Sequence, residues 1–89
     1  MPQAIGDPEE IEQFARALLN YVDNIRSETE RLSGFFDDLG NSWQDSKRSA
    51  FEEEFKALTD QIEKFASVCD DQVPYLKALA EKLRDYLQC

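Results

Sequence analysis

Histidine is missing altogether from these 89 residues. That removes histidine general bases, Ser-His-Asp arrangements and mixed Cys/His zinc sites. Glycine is limited to three scattered positions, so no glycine-rich loop can cradle a phosphate. The two cysteines, Cys69 and Cys89, are too few for a thiolate metal site. On one helix they would stand about 30 Å apart, beyond disulfide reach. Basic residues are also scarce, with 10 Lys and Arg against 19 Asp and Glu, a net charge of −9. Such a surface repels phosphate backbones and anionic headgroups, which argues against nucleic acid and membrane adsorption. It leaves solubility, or docking of a basic partner, as the use of the charge. No apolar run approaches the ~18 residues of a membrane span, and no N-terminal stretch combines a basic start with an apolar core. The chain is therefore expected in the cytoplasm, or secreted without a cleaved signal peptide. No cofactor or metal is implied, and the chain is read as no enzyme.

What is present is apolar and periodic. Hydrophobic residues make up 42% of the chain and ten residues are aromatic, too much apolar surface for disorder. After a loose arm over Met1–Gly6, Asp7-Pro8-Glu9-Glu10 forms a helix start. Asp7 can cap, Pro8 suits the first helical position, and Glu10 completes a capping box facing the positive helix end. Ile11, Leu18, Ile25, Leu32 and Leu39 then recur every seven residues, with Ala15, Val22, Thr29 and Phe36 between them. Phe14, Tyr21 and Phe35 widen this stripe on one side. The pattern predicts helix 1 over about 8–39 in a left-handed bundle.

Residues 40–45 are expected to turn, with Gly40 taking the left-handed conformation that ends a helix and Asn41 or Ser42 suiting the turn. Helix 2 is expected over about 46–88. Its stripe is Phe51, Phe55, Leu58, Ile62, Phe65, Cys69, Gln72, Leu76, Leu79, Leu83 and Tyr86, alternating steps of four and three. Cys69 falls on that stripe as a small core residue, while Cys89 is terminal. Pro74 lies inside this helix and is expected to kink it. Gln72, the polar residue on the stripe, either fixes register or marks a thin core. The whole chain, 1–89, is then a single all-α domain: two long antiparallel helices in a helix-turn-helix hairpin. One hairpin near the lower size limit for independent folding cannot cover two such stripes, so a dimer forming a four-helix bundle is expected. The interface and core residues are taken as Ile11, Leu18, Val22, Ile25, Leu32, Phe36, Leu39, Phe51, Phe55, Leu58, Ile62 and Phe65. Glu52-Glu53-Glu54 spreads around the helix and reads as a solvated face near a helix start. Asp37-Asp38 and Asp70-Asp71 read the same way.

The segment from Trp43 to Phe55, Trp-Gln-Asp-Ser-Lys-Arg-Ser-Ala-Phe-Glu-Glu-Glu-Phe, resembles the WXG family of small type VII secretion substrates, the early-secreted-antigen-like proteins. These have a Trp-x-Gly turn between two long helices and an aromatic residue eight positions after the Trp. Trp43 and Phe51 match, and Phe55, Leu58, Ile62 and Phe65 are similar to the family's second helix. Pro8-Glu9-Glu10-Ile11 is similar to its helix start. The turn motif here is Trp43, Gln44 and Asp45, with Asp45 in the motif glycine's place. Aspartate can cap a helix and tolerates turn geometry.

The resemblance implies a non-enzymatic protein of a type VII secretion system, acting as a secreted substrate or as a dimer partner or adaptor. Its partner would be itself, in a homodimer, or a second WXG-like hairpin, in a heterodimer, with a secretion ATPase as a further partner. Trp43 would sit by a groove formed with the partner's helix end, or else simply pin the turn to the bundle. Many members carry a tail signal, Tyr followed four residues later by Asp or Glu. Here Tyr75 is followed at that spacing by Leu79, and Tyr86 has three residues after it. That departure keeps an alternative open: a cytosolic helical adaptor or chaperone partner of a larger WXG-like toxin, not itself exported. A third alternative is a self-assembling coiled coil.

Overall fold

A computed structural model describes residues 6–88. The chain forms two helices, α1 over Pro8–Leu39 and α2 over Ser46–Gln88, folded against each other as a hairpin. The expectations for the arm over residues 1–5 and for the Cys89 thiol fall outside the described residues. Asp7 caps α1 in extended conformation, its carboxylate accepting the Glu9 N–H at 2.9 Å. Pro8 opens the helix, and Glu9 and Glu10 place negative charge in the first turn, where the helix dipole favours it. α2 runs unbroken through Pro74.

Small side chains bring the helices together. Among the described residues the buried apolar ones are Ala15, Val22 and Phe36 on α1 and Ala66, Cys69, Val73 and Ala80 on α2. Val22 has no exposed surface and packs with Ala66, Cys69 and Leu18. The seven-residue step from Ala66 to Val73 to Ala80 shows that the seam keeps a heptad period along its length. The hairpin is long and thin, 67 × 19 × 17 Å with a radius of gyration of 20.1 Å, against about 12 Å for a compact domain of this length. Its accessible surface is 6985 Å², where a globular monomer of this mass exposes about 5,400 Å².

Gly40 corrects the sequence expectation. It stays right-handed, at φ −62° and ψ −18°, and α1 runs out into a tight turn. Gly40 N–H donates to Asp37 O, Asn41 N–H to Asp38 O, and Ser42 and Trp43 N–H both to Leu39 O. What Gly40 supplies is room: a Cβ there would lie 3.0 Å from Asp37 O and 3.1 Å from the Arg48 guanidinium. The glycine that does need the left-handed region is Gly6, at φ 117°.

Candidate interaction face

The turn is built by polar side chains around an aromatic cluster. The Asp45 carboxylate caps α2, one oxygen accepting the N–H groups of Lys47 at 3.0 Å and Arg48 at 3.2 Å. The same oxygen accepts the Trp43 indole N–H at 3.0 Å. Gln44 donates its side-chain amide to Gly40 O at 2.8 Å. Beneath them Phe36 meets Trp43 edge-on, and its ring centre lies 5.7 Å from that of Phe51 and 5.2 Å from that of Phe55. The Arg48 guanidinium lies 4.1 Å over the Phe36 ring and donates to Phe36 O, closing the cluster from above. Trp43 itself is half-buried, while Gln44 and Asp45 are exposed. Replacing Asp45 with alanine removes two backbone partners and the indole's acceptor. It is expected to cost about 1–2 kcal/mol in chemical denaturation, and Asp45→Gly clearly less, because glycine suits a cap almost as well.

The stripe read from the sequence divides in two. Val22 and Phe36 lie inside the hairpin, and Ile11, Leu18, Ile25, Phe55 and Ile62 are half-buried at its seam. Leu32, Leu39, Phe51, Leu58 and Phe65 are exposed. With them on the surface stand Phe14, Tyr21, Phe35, Val68, Tyr75, Leu79 and Tyr86. On α2 the exposed set steps by seven through Phe51, Leu58, Phe65, Leu79 and Tyr86, broken only by Gln72. The middle of this face holds an open groove of about 500 Å³ lined by Tyr21, Ile25, Leu32, Leu58, Ile62 and Phe65 together with Glu28, Thr29 and Gln61. Tyr21 and Phe65 meet edge-on across the seam at its end, with ring centres 6.3 Å apart. Contiguous apolar surface of this extent marks a binding face.

The opposite edge is polar and tied by ions. Arg26 bridges Glu63 at 2.8 Å and Asp70 at 2.7 Å. Arg84 makes a two-pronged contact with Glu12, at 2.6 and 2.7 Å, and reaches Glu81 on its own helix. Asp70 thus serves as an ion-pair partner and differs from the free solvated residue expected. Sequence reasoning passed over these clamps, although their spacing was a signal. Glu12 and Arg26 lie two heptads apart on one row, and Glu63, Asp70 and Arg84 share another. Glu52 is half-buried, Glu53 and Glu54 are exposed, and among the described residues no group of acids and cysteines is arranged to hold a metal.

The hydrogen bond from Arg84 holds the Glu12 carboxyl below the usual carboxylate range, and that from Arg26 does the same for Glu63. The two guanidinium groups are pushed up in turn, Arg26 by Glu63 and Asp70, Arg84 by Glu12. A carboxyl more acidic in the folded than in the unfolded chain adds stability above the unfolded value, near 4.5. That contribution is lost as pH falls through the lower folded value. Thermal melts from pH 7 to pH 3 are expected to show the native protein above a Glu12→Gln/Glu63→Gln variant at neutral pH. The gap should close below about pH 4, while the relief of general acidic repulsion is common to both and cancels. A gap of constant size would remove the clamps from the acid response.

A model of the family described as WXG100, proteins of 100 residues with WXG, matches residues 5–86. The chain belongs to the WXG100 family. Its hairpin is similar to the crystal structure of the wild-type secreted protein EsxB from Bacillus anthracis strain Sterne. The TM-score is 0.83 at 25% identity, over 96% of this chain and 99% of that one. A glycine-to-alanine mutant of the same EsxB gives 0.80 at 25% identity, over 96% of this chain and 98% of that one. No curated protein sequence matched. WXG100 proteins are small helical proteins related to type VII secretion that pair as homo- or heterodimers, typically as four-helix bundles. The seam of this hairpin is lined mostly by alanine and valine, while most of its aromatic residues face outward. Among the described residues no helix is long and apolar enough to cross a membrane.

Proposed function

We propose that this WXG100 hairpin works in type VII secretion through its exposed apolar face, as a secreted substrate or as the dimer partner or adaptor of one. The observation that carries the reading is the face itself: Tyr21, Ile25, Leu32, Leu58 and Phe65 line an open apolar groove on a hairpin of the family fold. The interface then consists of Leu32, Leu39, Phe51, Leu58 and Phe65, with Ile11, Leu18, Ile25, Phe55 and Ile62 shared between the seam and the partner. Val22 and Phe36 serve only the seam. Asp45 stands where the family motif has glycine and holds the turn by capping. A secretion ATPase is the motor this role requires.

The test is made in the organism that encodes the chain. The protein is expected in the medium when the secretion ATPase is intact and only in cells when that ATPase is deleted. Deleting the hairpin should change what else is exported. A hairpin retained in the cell, together with an unaltered set of secreted proteins on its deletion, would sink the proposal. Tyr75 favours a second reading, because the acid expected four residues later is Leu79. In that reading the hairpin stays in the cytosol as adaptor or chaperone of a larger toxin with a similar hairpin, and it co-purifies with that toxin from cell extract.

A further inference from the structure

The two helices are not held together evenly along their length. Among the described residues every ring-to-ring contact lies between Tyr21 and Phe65. Val22, Ala66 and Cys69, with Leu18 against them, form the buried cluster of the same stretch. Arg26 fastens its edge by bridging Glu63 and Asp70. Past Asp70 the seam thins. The buried residues of α2 there are Val73 and Ala80, and Leu76 and Leu83 are half-buried. Arg84 and Glu12, both half-buried, form the ion pair across this end, in two contacts of 2.6 and 2.7 Å. The Glu12 carboxylate also feels the charge of Lys77 from α2 and of Arg16 from its own helix. Glu12 therefore draws α2 inward at two places.

Pro74 stands where the well-held stretch gives way to the thin one. It has no N–H, so the Asp70 carbonyl loses its helical donor, and the ring crowds that carbonyl. It also disfavours helical geometry at Val73, the residue before it. A helix that stops short of Pro74 is relieved of these costs, which is why proline is common just past helix ends. The break lies a few residues beyond the last one that Arg26 holds. Residues 75–88, the rest of α2, span about 21 Å. A free helix of that length is marginal in water, so this end segment is helical because it is docked.

We propose that residues 75–88 are a latched end segment that opens as a unit at Pro74, with Glu12–Arg84 as the latch, while the rest of the hairpin stays closed. Opening uncovers Leu76, Leu83 and Ile11 at one end of the molecule and leaves the aromatic cluster at the turn intact. The device goes beyond the secretion role and does not depend on it.

Hydrogen exchange on the full chain, at one protein concentration and where rates follow opening equilibria, tests this directly. The amides of residues 76–84 are expected to exchange together, about a hundredfold faster than those of residues 58–70. Glu12→Gln should speed the end segment roughly tenfold by removing a charged hydrogen-bond partner. Pro74→Ala, which restores the donor to Asp70 O, should slow it roughly tenfold. Phe36→Leu is the discriminating variant, because Phe36 stays packed when only the end segment opens. It should speed residues 58–70 about fivefold and leave residues 76–84 unchanged. Circular dichroism should show all three variants folded. One common rate for both groups of amides overturns the proposal. So does a Phe36→Leu variant that speeds the end segment as much as the body, or a Pro74→Ala variant that leaves the end segment's rate where it was.

Discussion

Replacing Phe36 with alanine is expected to destabilise the hairpin by about 3 kcal/mol, the low end of the range for a buried phenylalanine. The ring is 9% exposed and lies against Trp43, Phe51 and Phe55 with the Arg48 guanidinium above it. Removing it strips four neighbours of their contact, at the point where the chain reverses direction. The site lies beside the exposed end of the hairpin, so it can partly collapse, and that keeps the cost from reaching the upper end. Against a total of roughly 4–13 kcal/mol for a chain of this length, the loss is a quarter of the stability or more. Phe36→Leu keeps most of the volume and should cost about 1 kcal/mol. Denaturant unfolding followed by the fluorescence of Trp43, the only tryptophan, reports on the cluster directly. Equal melting of the alanine and leucine variants would show that Phe36 does not pin the turn.

The same cluster shows what the sequence could and could not reveal. A seven-residue repeat carried through Ile11, Leu18, Ile25 and Leu32, and through Phe51, Leu58 and Phe65, has no strand interpretation, so two helices were legible at once. Which side of each stripe faced inward was not. A stripe is recognised by its largest members, whereas two helices approach most closely where side chains are small. Ala66, Val73 and Ala80 therefore form the seam, one position along from the phenylalanines that mark the pattern. Gly40 departs from the left-handed conformation in which helices often end. The chain instead continues right-handed through three more hydrogen bonds, and the space over Gly40 is taken by Arg48. The ion clamps were written in the rows containing Glu12 and Arg26, and Glu63, Asp70 and Arg84. Charges on a helix surface usually face water, so only the packing of one row against the other shows that they meet.

The division between seam and face gives the second large effect. A Leu58→Asp/Phe65→Asp variant is expected to leave the hairpin helical and to weaken its pairing more than a hundredfold. In the single chain Leu58 is 51% and Phe65 49% exposed, so a carboxylate at either place keeps its water and costs the hairpin little. In a complex both positions lose that water. Each then carries the desolvation of an unpaired charge as well as the loss of a large apolar anchor, at several kcal/mol together. A hundredfold is about 2.7 kcal/mol, so even a poorly packed partner exceeds it. Light scattering across a dilution series reads the association, and circular dichroism at the same concentrations reads the fold. If the mass of the variant equals that of the native protein at every concentration, the face is solvent in the working molecule. The aromatic residues along α2 would then need a different explanation. If helicity falls together with the mass, the hairpin borrows its stability from its partner, and the separation of seam from face fails.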